Sequence, residues 1–436
     1  MLCSRLSITC LMLLATWGMC ANAAAQTNQP PPAPASDSAE SANTGMTLTD
    51  FQSLALQNNP TLSAARARIQ SASGRQVQAG LFPNPIVGYH ATEVGNLDTS
   101  GVQGGFVRQE FITAGKLGLD QTIAGQDVKA ARFHWYAQER RVLNDIEIRF
   151  YEALAAQRRV EMATELARIG DELVAATEKL QQGRLRSEND LLQAEIRAEE
   201  AHIELDNSLN EREEANRRLA TIVGTPELNV SSLSGTLEAD LPDLAWEDCQ
   251  TLLVSNHPEL NVARTRSERA RIAIERAKRE PIPNVTTFVS MRHNNITGSD
   301  VANVQIDVPI PVFDRNQGNI AASESDWIAA YKNIQRVELD LQDRLAIAYR
   351  QYANARQQAE RYSERIIPRS ERSLELVTRA YEKGQVEYLT LLIAQQTYVE
   401  VTLSYIDSLQ DLRTASAVIQ GQLLTGSLTS GSDISN

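Results

Sequence analysis

The chain has 436 residues, of which 42% are hydrophobic, 5% aromatic and 22% charged, and its 42 basic and 55 acidic side chains give a formal net charge of −13. A mean hydropathy of −0.32 excludes a helical membrane transporter. The acidic balance excludes nucleic acid as the main partner, because phosphate binding needs a basic surface.

In chain order, Arg5 precedes an apolar stretch around Ile8 to Trp17 and small residues at Ala21, Ala23 and Ala25. This pattern predicts a secretory signal peptide over 1–25. Residues 26–45 are rich in Pro, Ser, Ala and Gln and predict a flexible segment that cannot pack a core. Cys3, Cys10 and Cys20 fall within the leader, so Cys249 stands alone in the mature chain and no internal disulfide is expected. Cys20 is also a possible lipidation site, although Trp17-Gly18-Met19 before it lacks the small residue expected at such a cleavage point.

The rest of the chain is one unit written twice, with an offset of about 200 residues. Asn59-Pro60-Thr61-Leu62 matches His257-Pro258-Glu259-Leu260, and Pro83-Asn84 matches Pro283-Asn284. Gly183 matches Gly384, and Leu191-Leu192-Gln193-Ala194 matches Leu391-Leu392-Ile393-Ala394. The first repeat spans about 46–224 and the second about 244–425, joined by a linker at about 225–243 and followed by a disordered tail at 426–436. No proline occurs from Ile86 to Thr225, and only Pro368 occurs from Val312 onward. Since proline in a helix interior costs about 3 kcal/mol, these gaps predict long helices.

Each repeat therefore reads as two short helices, two strands and a long helical hairpin. In the first, helices at about Leu48–Asn58 and Leu62–Gly80 precede one from about Leu117 to Gln182, roughly 100 Å long at 1.5 Å per residue. Leu166, Ile169, Leu173, Ala176 and Leu180 recur at steps of three and four, as do Leu392, Gln395, Val399, Thr402, Ile406 and Leu409. That is a coiled-coil seam, and its many small and polar positions suit several helices packed around a wet interior. Gly183 and Gly384 are read as tight helix-to-helix turns in which glycine relieves the backbone.

Strands are expected at about 85–112 and 284–311. Ala302, Val304, Ile306, Val308 and Ile310 alternate with Asn303, Gln305, Asp307 and Pro309, and Val285, Thr287, Val289 and Met291 alternate with Thr286, Phe288, Ser290 and Arg292. Val87, Tyr89 and Ala91 alternate in the first repeat, where Val107 and Phe111 flank Gln109. Such segments of about ten residues suit a transmembrane barrel, and periodicity alone suits soluble hairpins equally. No run of 18 apolar residues follows the leader, so a membrane crossing requires a closed barrel. Four strands cannot close one, whereas three chains supply twelve, which points to a homotrimer.

Catalytic signatures are missing: there is no G-x-S-x-G, H-E-x-x-H, C-x-x-C or Walker loop. The five histidines, His90, His134, His202, His257 and His293, lack ligand spacing. No enzyme activity, cofactor or metal site is expected.

With duplicated strand and hairpin units behind a leader, the sequence resembles the TolC-like outer-membrane efflux proteins over nearly the whole mature chain. Ala79-Gly80-Leu81-Phe82-Pro83-Asn84-Pro85, Gln109-Glu110-Phe111 with Gly115-Lys116, and the run from Val308-Pro309-Ile310-Pro311-Val312-Phe313-Asp314-Arg315-Asn316 to Ile320 resemble the branch serving cobalt-zinc-cadmium efflux. Tyr381-Glu382-Lys383-Gly384 through Leu391-Leu392 is typical of the family's hairpin tip.

The resemblance implies a mainly α fold with a small β part: a trimeric twelve-stranded outer-membrane barrel continued by a periplasmic α-helical barrel. It implies hairpin tips at Gly183, Arg184, Leu185, Gly384, Gln385 and Val386 that dock on a periplasmic adaptor, which links the duct to an inner-membrane pump. Helix-to-barrel turns are implied at Pro83, Asn84, Pro85, Pro283, Asn284, Pro309 and Pro311, beside outer-membrane lipid. Family members often close the periplasmic mouth with acidic residues past the tip; here Thr390 and Ile393 depart from that pattern, while Glu188 and Asp190 offer a candidate ring. The expected function is a passive exit duct, with divalent heavy-metal cations as cargo. The alternatives are a drug-efflux or protein-secretion duct of the same fold, or a periplasmic coiled-coil spacer.

Overall fold

The computed structural model describes residues 45–95, 98, 100–183, 187–230, 232–239 and 241–429. The expected leader with Cys20, the Pro/Ser-rich segment up to Thr44, and Arg184 and Leu185 of the first tip lie outside the described residues.

Two short helices open each repeat. In the first, α1 (Leu48–Asn58) and α2 (Pro60–Ala79) start where the sequence supplies caps. The Thr47 N–H donates to the Asp50 carboxylate at 2.9 Å, and Asn59 Oδ1 accepts the Thr61 N–H at 2.9 Å, with Pro60 at the first helical position. Strands β1 (Ile86–Thr92) and β2 (Val102–Phe111) follow, then α3 (Lys116–Gln182) and α4 (Glu188–Val223). The second repeat repeats this order: α5 (Trp246–Asn256), α6 (Pro258–Arg279), β3 (Val285–Asn294), β4 (Ser299–Asp307), α7 (Gln317–Arg361), α8 (Ile367–Glu382) and α9 (Tyr388–Gln420).

The proline gaps house the long helices. At 67 residues α3 is unbroken, about 100 Å of rod. Its counterpart is divided by a π-helical turn at Tyr362–Ile366, whose end is marked by the Ile367 N–H bonding Tyr362 O. Pro368 has no N–H for the carbonyl one turn back and its ring crowds that carbonyl, and the wider turn absorbs both defects.

Strand β4 ends at Asp307, three residues before the expected Ile310. Pro309 and Pro311 cannot donate to a ladder, so the apolar alternation continues through Val308 and Ile310 as an exposed non-strand segment. Gly384 takes a left-handed φ of 66°, as expected of a glycine turn. Gly183 does not: its φ is −76°, which any residue adopts, so its glycine character relieves nothing there.

The core follows the helices. Phe51, Ile146, Leu154, Leu219, Leu260, Leu341, Leu345, Leu409 and Leu412 belong to one buried cluster, each contributing roughly 1.5–3 kcal/mol by burial. A second, smaller cluster joins Leu166, Ile169 and Leu173 of α3 to Ala194 and Ala201 of α4 and Leu392 and Val399 of α9. The seam periodicity is thus realised, although Ala176, Leu180, Gln395 and Thr402 are only half-buried. The segment joining the repeats packs on the first cluster through Val230, Leu233 and Leu237. Arg413 holds it by donating to Leu237 O at 2.9 Å and to Ala239 O, with its guanidinium 4.8 Å from the Tyr151 ring centre. Beside it, burial pushes the Glu147 carboxyl up, and Arg413 opposes that shift.

Of the expected tail, Gly426 and Ser427 are anchored, correcting the reading of disorder from 426. Their N–H groups donate to the Asp145 carboxylate at 3.1 and 2.6 Å, the strong kind of hydrogen bond an ionised acceptor makes.

Candidate functional site

The four strands form one antiparallel sheet in the order β1-β2-β3-β4. Its register turns four separate alternations into two chemically distinct faces. Val87 pairs with Val107, Val107 with Val289, and Val289 with Val304, one row of four valines across the sheet. Because side chains alternate, Tyr89, Met291 and Ile306 share that face. In the single chain they are bare: Val87 is 75% exposed, Met291 71% and Val304 71%. The face ends in a polar rim where Gln103 pairs with His293 and His293 with Asp300, the last two bonded at 2.8 Å.

The opposite face carries His90, Arg108, Glu110, Arg292, Asn303, Gln305 and Asp307, with one aromatic contact in its middle. Phe106 and Phe288 lie 5.3 Å apart between centroids, and Arg108 sits 5.7 Å over the Phe288 ring. Gly88 makes room for them, since a Cβ there would come within 2.5 Å of the Phe106 ring. His90 and His293 occupy opposite faces, because they pair with the consecutive residues Gly104 and Gln103. They form no joint site.

Where helix gives way to sheet, the expected turn residues are tied together. Thr113 Oγ1 donates to Pro283 O at 2.6 Å, the Thr113 N–H donates to Asn284 Oδ1 at 3.3 Å, and the Lys116 ammonium donates to the same atom at 3.0 Å. Asn284 Nδ2 donates in turn to Glu110 at 2.8 Å, and Gln109 Nε2 to Pro83 O at 2.9 Å. Two motifs that sequence reading kept apart, Pro283-Asn284 and Gln109-Glu110 with Gly115-Lys116, form one joint across the repeats. Asn84, Pro85 and Pro309 are exposed and Pro311 half-buried.

At the other end, Glu188 and Asp190 sit in the first turn of α4. The Asp190 carboxylate accepts the Ser187 N–H at 3.0 Å and the Ser187 hydroxyl at 2.9 Å, and Ser187 Oγ accepts the Asp190 N–H at 3.2 Å. Asp190 therefore closes a capping box, whatever further use its charge has. Gly183, Gly384 and Gln385 are exposed and Val386 half-buried at the two tips. Near the tips Tyr388 of α9 donates to Glu172 of α3 at 2.8 Å, a bond that pushes the phenol up. His202 of α4 pairs with Asp171 of α3 at 2.9 Å, which pushes the imidazole up.

The Tyr388–Glu172 link was missed from sequence, where Tyr388 is one aromatic in an amphipathic helix. His257 was missed too, yet its signal was present in the residue before Pro258. Its Nδ1 accepts the Glu259 N–H at 3.2 Å and its Nε2 donates to Gln422 O at 2.9 Å, copying Asn59, whose Nδ2 donates to Ile222 O at 2.6 Å. Burial pushes the His257 imidazole down, against the raising effect of the Gln422 carbonyl.

No helix among the described residues is long and apolar enough to cross a membrane. A family model described as outer membrane efflux protein matches residues 52–225 and 251–423, one match per repeat. The chain belongs to the outer membrane efflux protein family. A cobalt-zinc-cadmium resistance protein, CzcC of Cupriavidus metallidurans, is 25% identical over 391 residues, covering 86% of this chain and 89% of that one. The outer-membrane channel OprN has a TM-score of 0.70 at 18% identity, covering 87% of this chain and 90% of that one. VceC of Vibrio cholerae has 0.70 at 18%, covering 87% and 96%, and CusC has 0.68 at 17%, covering 87% and 92%. These structures share the fold. The protein is an outer membrane efflux protein.

Proposed function

We propose that three copies of this chain close a twelve-stranded barrel and serve as the passive exit duct for divalent heavy-metal cations in a tripartite efflux system. The observation that carries the reading is the valine row Val87, Val107, Val289 and Val304, an apolar face backed by a polar one on a sheet with two open edges. Open edges in lipid leave backbone groups unsatisfied at several kcal/mol each, and closure with two further copies satisfies them. The polar face then lines a wet lumen, and a net charge of −13 suits cations over anions.

The cargo follows from the likeness to the cobalt-zinc-cadmium resistance protein. The tips at Gly183, Gly384, Gln385 and Val386, with Arg184 and Leu185, dock on a periplasmic adaptor that connects the duct to an inner-membrane pump. Glu188 and Asp190, three copies of each, ring the periplasmic mouth and concentrate cations by converging negative potential. Removing the chain from cells that depend on it should raise cellular zinc, cobalt and cadmium and lower tolerance to them. Unchanged metal content, with lost export of an organic compound instead, overturns the cargo.

A further inference from the structure

The polar face of the sheet carries its charges sorted by sign. Glu110 pairs with Thr286 and Thr286 with Asp307, so the register sets two carboxylates in one row at the end where strand meets helix. Two residues further along, Arg108 lies between Ile86 and Phe288, and four beyond that Arg292 lies between Gly104 and Val301. Cross-strand neighbours of opposite sign attract, and both arginines have uncharged neighbours instead. Among the described residues neither arginine is in an ion pair: Arg108 sits over the Phe288 ring, and Arg292 Nε is buried without a hydrogen-bond partner. The carboxylates are held by amides, Glu110 by Asn284 and Asp307 by Gln305, which leaves their charge uncancelled. On the other face the strands carry one carboxylate, Asp300, at the rim beside His293. At 3.4 Å per residue the carboxylate row and the Arg292 row are about 20 Å apart.

We propose that this charge step, Glu110 and Asp307 followed by Arg108 and Arg292, makes the duct pass cations more readily from the helical end toward the strand loops than back. The step rests on the reading that the polar face lines a lumen, and adds to it a direction of flow. The carboxylate zone gathers cations and repels anions, and the arginine zone does the opposite. A voltage that drives cations outward brings them in past the carboxylates while anions come in past the arginines. Both accumulate between the zones, and the conductance is high. Under the opposite voltage the arginines repel the entering cations and the carboxylates repel the entering anions, so the space between loses its carriers and the conductance falls. The repulsion doubles for a divalent cation, because Coulomb energy scales with charge, so the step opposes the return of exported metal. Salt controls its strength. The screening length is about 30 Å at 0.01 M, longer than the step, and about 3 Å at 1 M, which confines each field to its own side chains.

The test is the current through single channels of the full chain in a planar bilayer, compared at equal voltages of opposite sign. No described helix is apolar enough to cross hydrocarbon, so protein added to one chamber keeps its helices there and the orientation is fixed. In about 0.01 M potassium chloride the current with the helical side positive should exceed the reverse current by about twofold or more, and the ratio should fall to about one near 1 M salt. Arg108→Gln with Arg292→Gln should bring the low-salt currents level. Arg292→Gln alone should give an intermediate ratio, and it asks the same question where the double variant does not assemble. Equal or reversed currents from open wild-type channels at low salt overturn the step and leave the duct reading standing. So does a ratio that survives high salt or the loss of both arginines. A wild-type chain that gives no openings overturns the duct reading itself, and the step with it.

Discussion

Val289 is the fifth of ten residues in β3, flanked by Val107 and Val304 in the middle of the apolar row. Replacing it with arginine puts a guanidinium where the sheet meets hydrocarbon, at about 2–4 kcal/mol for each copy near the bilayer midplane. Three copies bring the cost to roughly 6–12 kcal/mol, comparable with the 5–15 kcal/mol of a whole domain. Val289→Arg should therefore abolish or strongly reduce the trimer mass proposed for the wild-type protein, measured on protein extracted from outer membranes. Gln305→Arg is the matched control. It adds the same charge on the opposite face, where the Gln305 amide already donates to Asp307 at 2.8 Å, and it should assemble as wild type. If Val289→Arg assembles normally, or Gln305→Arg fails as badly, the assignment of faces to lipid and lumen is wrong.

Protonating buried His257 is disfavoured in the folded chain, so the unfolded chain binds the extra proton first. Stability should be full above about pH 6.5 and fall as pH drops below it, and His257→Asn, which restores the Asn59 arrangement, should flatten that fall in thermal melts. An unchanged slope would assign the pH dependence elsewhere, for instance to half-buried His134, whose imidazole burial also pushes down. Asp190→Asn removes charge while leaving an acceptor for Ser187, so it should weaken divalent-cation block of single-channel current with little loss of stability; unchanged block contradicts the mouth ring. Asp190→Ala should do the same and also lower stability, because it removes the acceptor of the Ser187 N–H from the capping box. Tyr388→Phe deletes the link to Glu172, worth about 0.5–1.5 kcal/mol, and should raise the frequency of channel opening; identical gating would show that the link does not restrain the tips.

Much of this architecture is legible in residue order because proline and glycine chemistry is local. The gap from Ile86 to Thr225 marks α3, and Asn59-Pro60 and His257-Pro258 mark helix starts by cap and ring alone. Local chemistry also explains how Pro368 is accommodated and why one strand reads too long. Pro368 lies inside a helical stretch because a π-helical turn can absorb it, and Val308 with Ile310 alternate like a strand although the prolines beside them cannot pair. What stayed hidden is long-range. Alternation says that each strand has two faces, and only the register lines Val87, Val107, Val289 and Val304 in one row. The Thr113–Asn284 and Tyr388–Glu172 contacts join residues 171 and 216 positions apart, and no periodicity encodes such pairs.

Single-channel recording of the purified protein in a planar bilayer, with its mass measured in the same detergent, asks whether this chain forms a water-filled duct through the outer membrane. Discrete, cation-preferring openings should come from a particle of trimer mass. A monomer or dimer that leaves the bilayer insulating would contradict the duct and favour a non-conducting coiled-coil spacer.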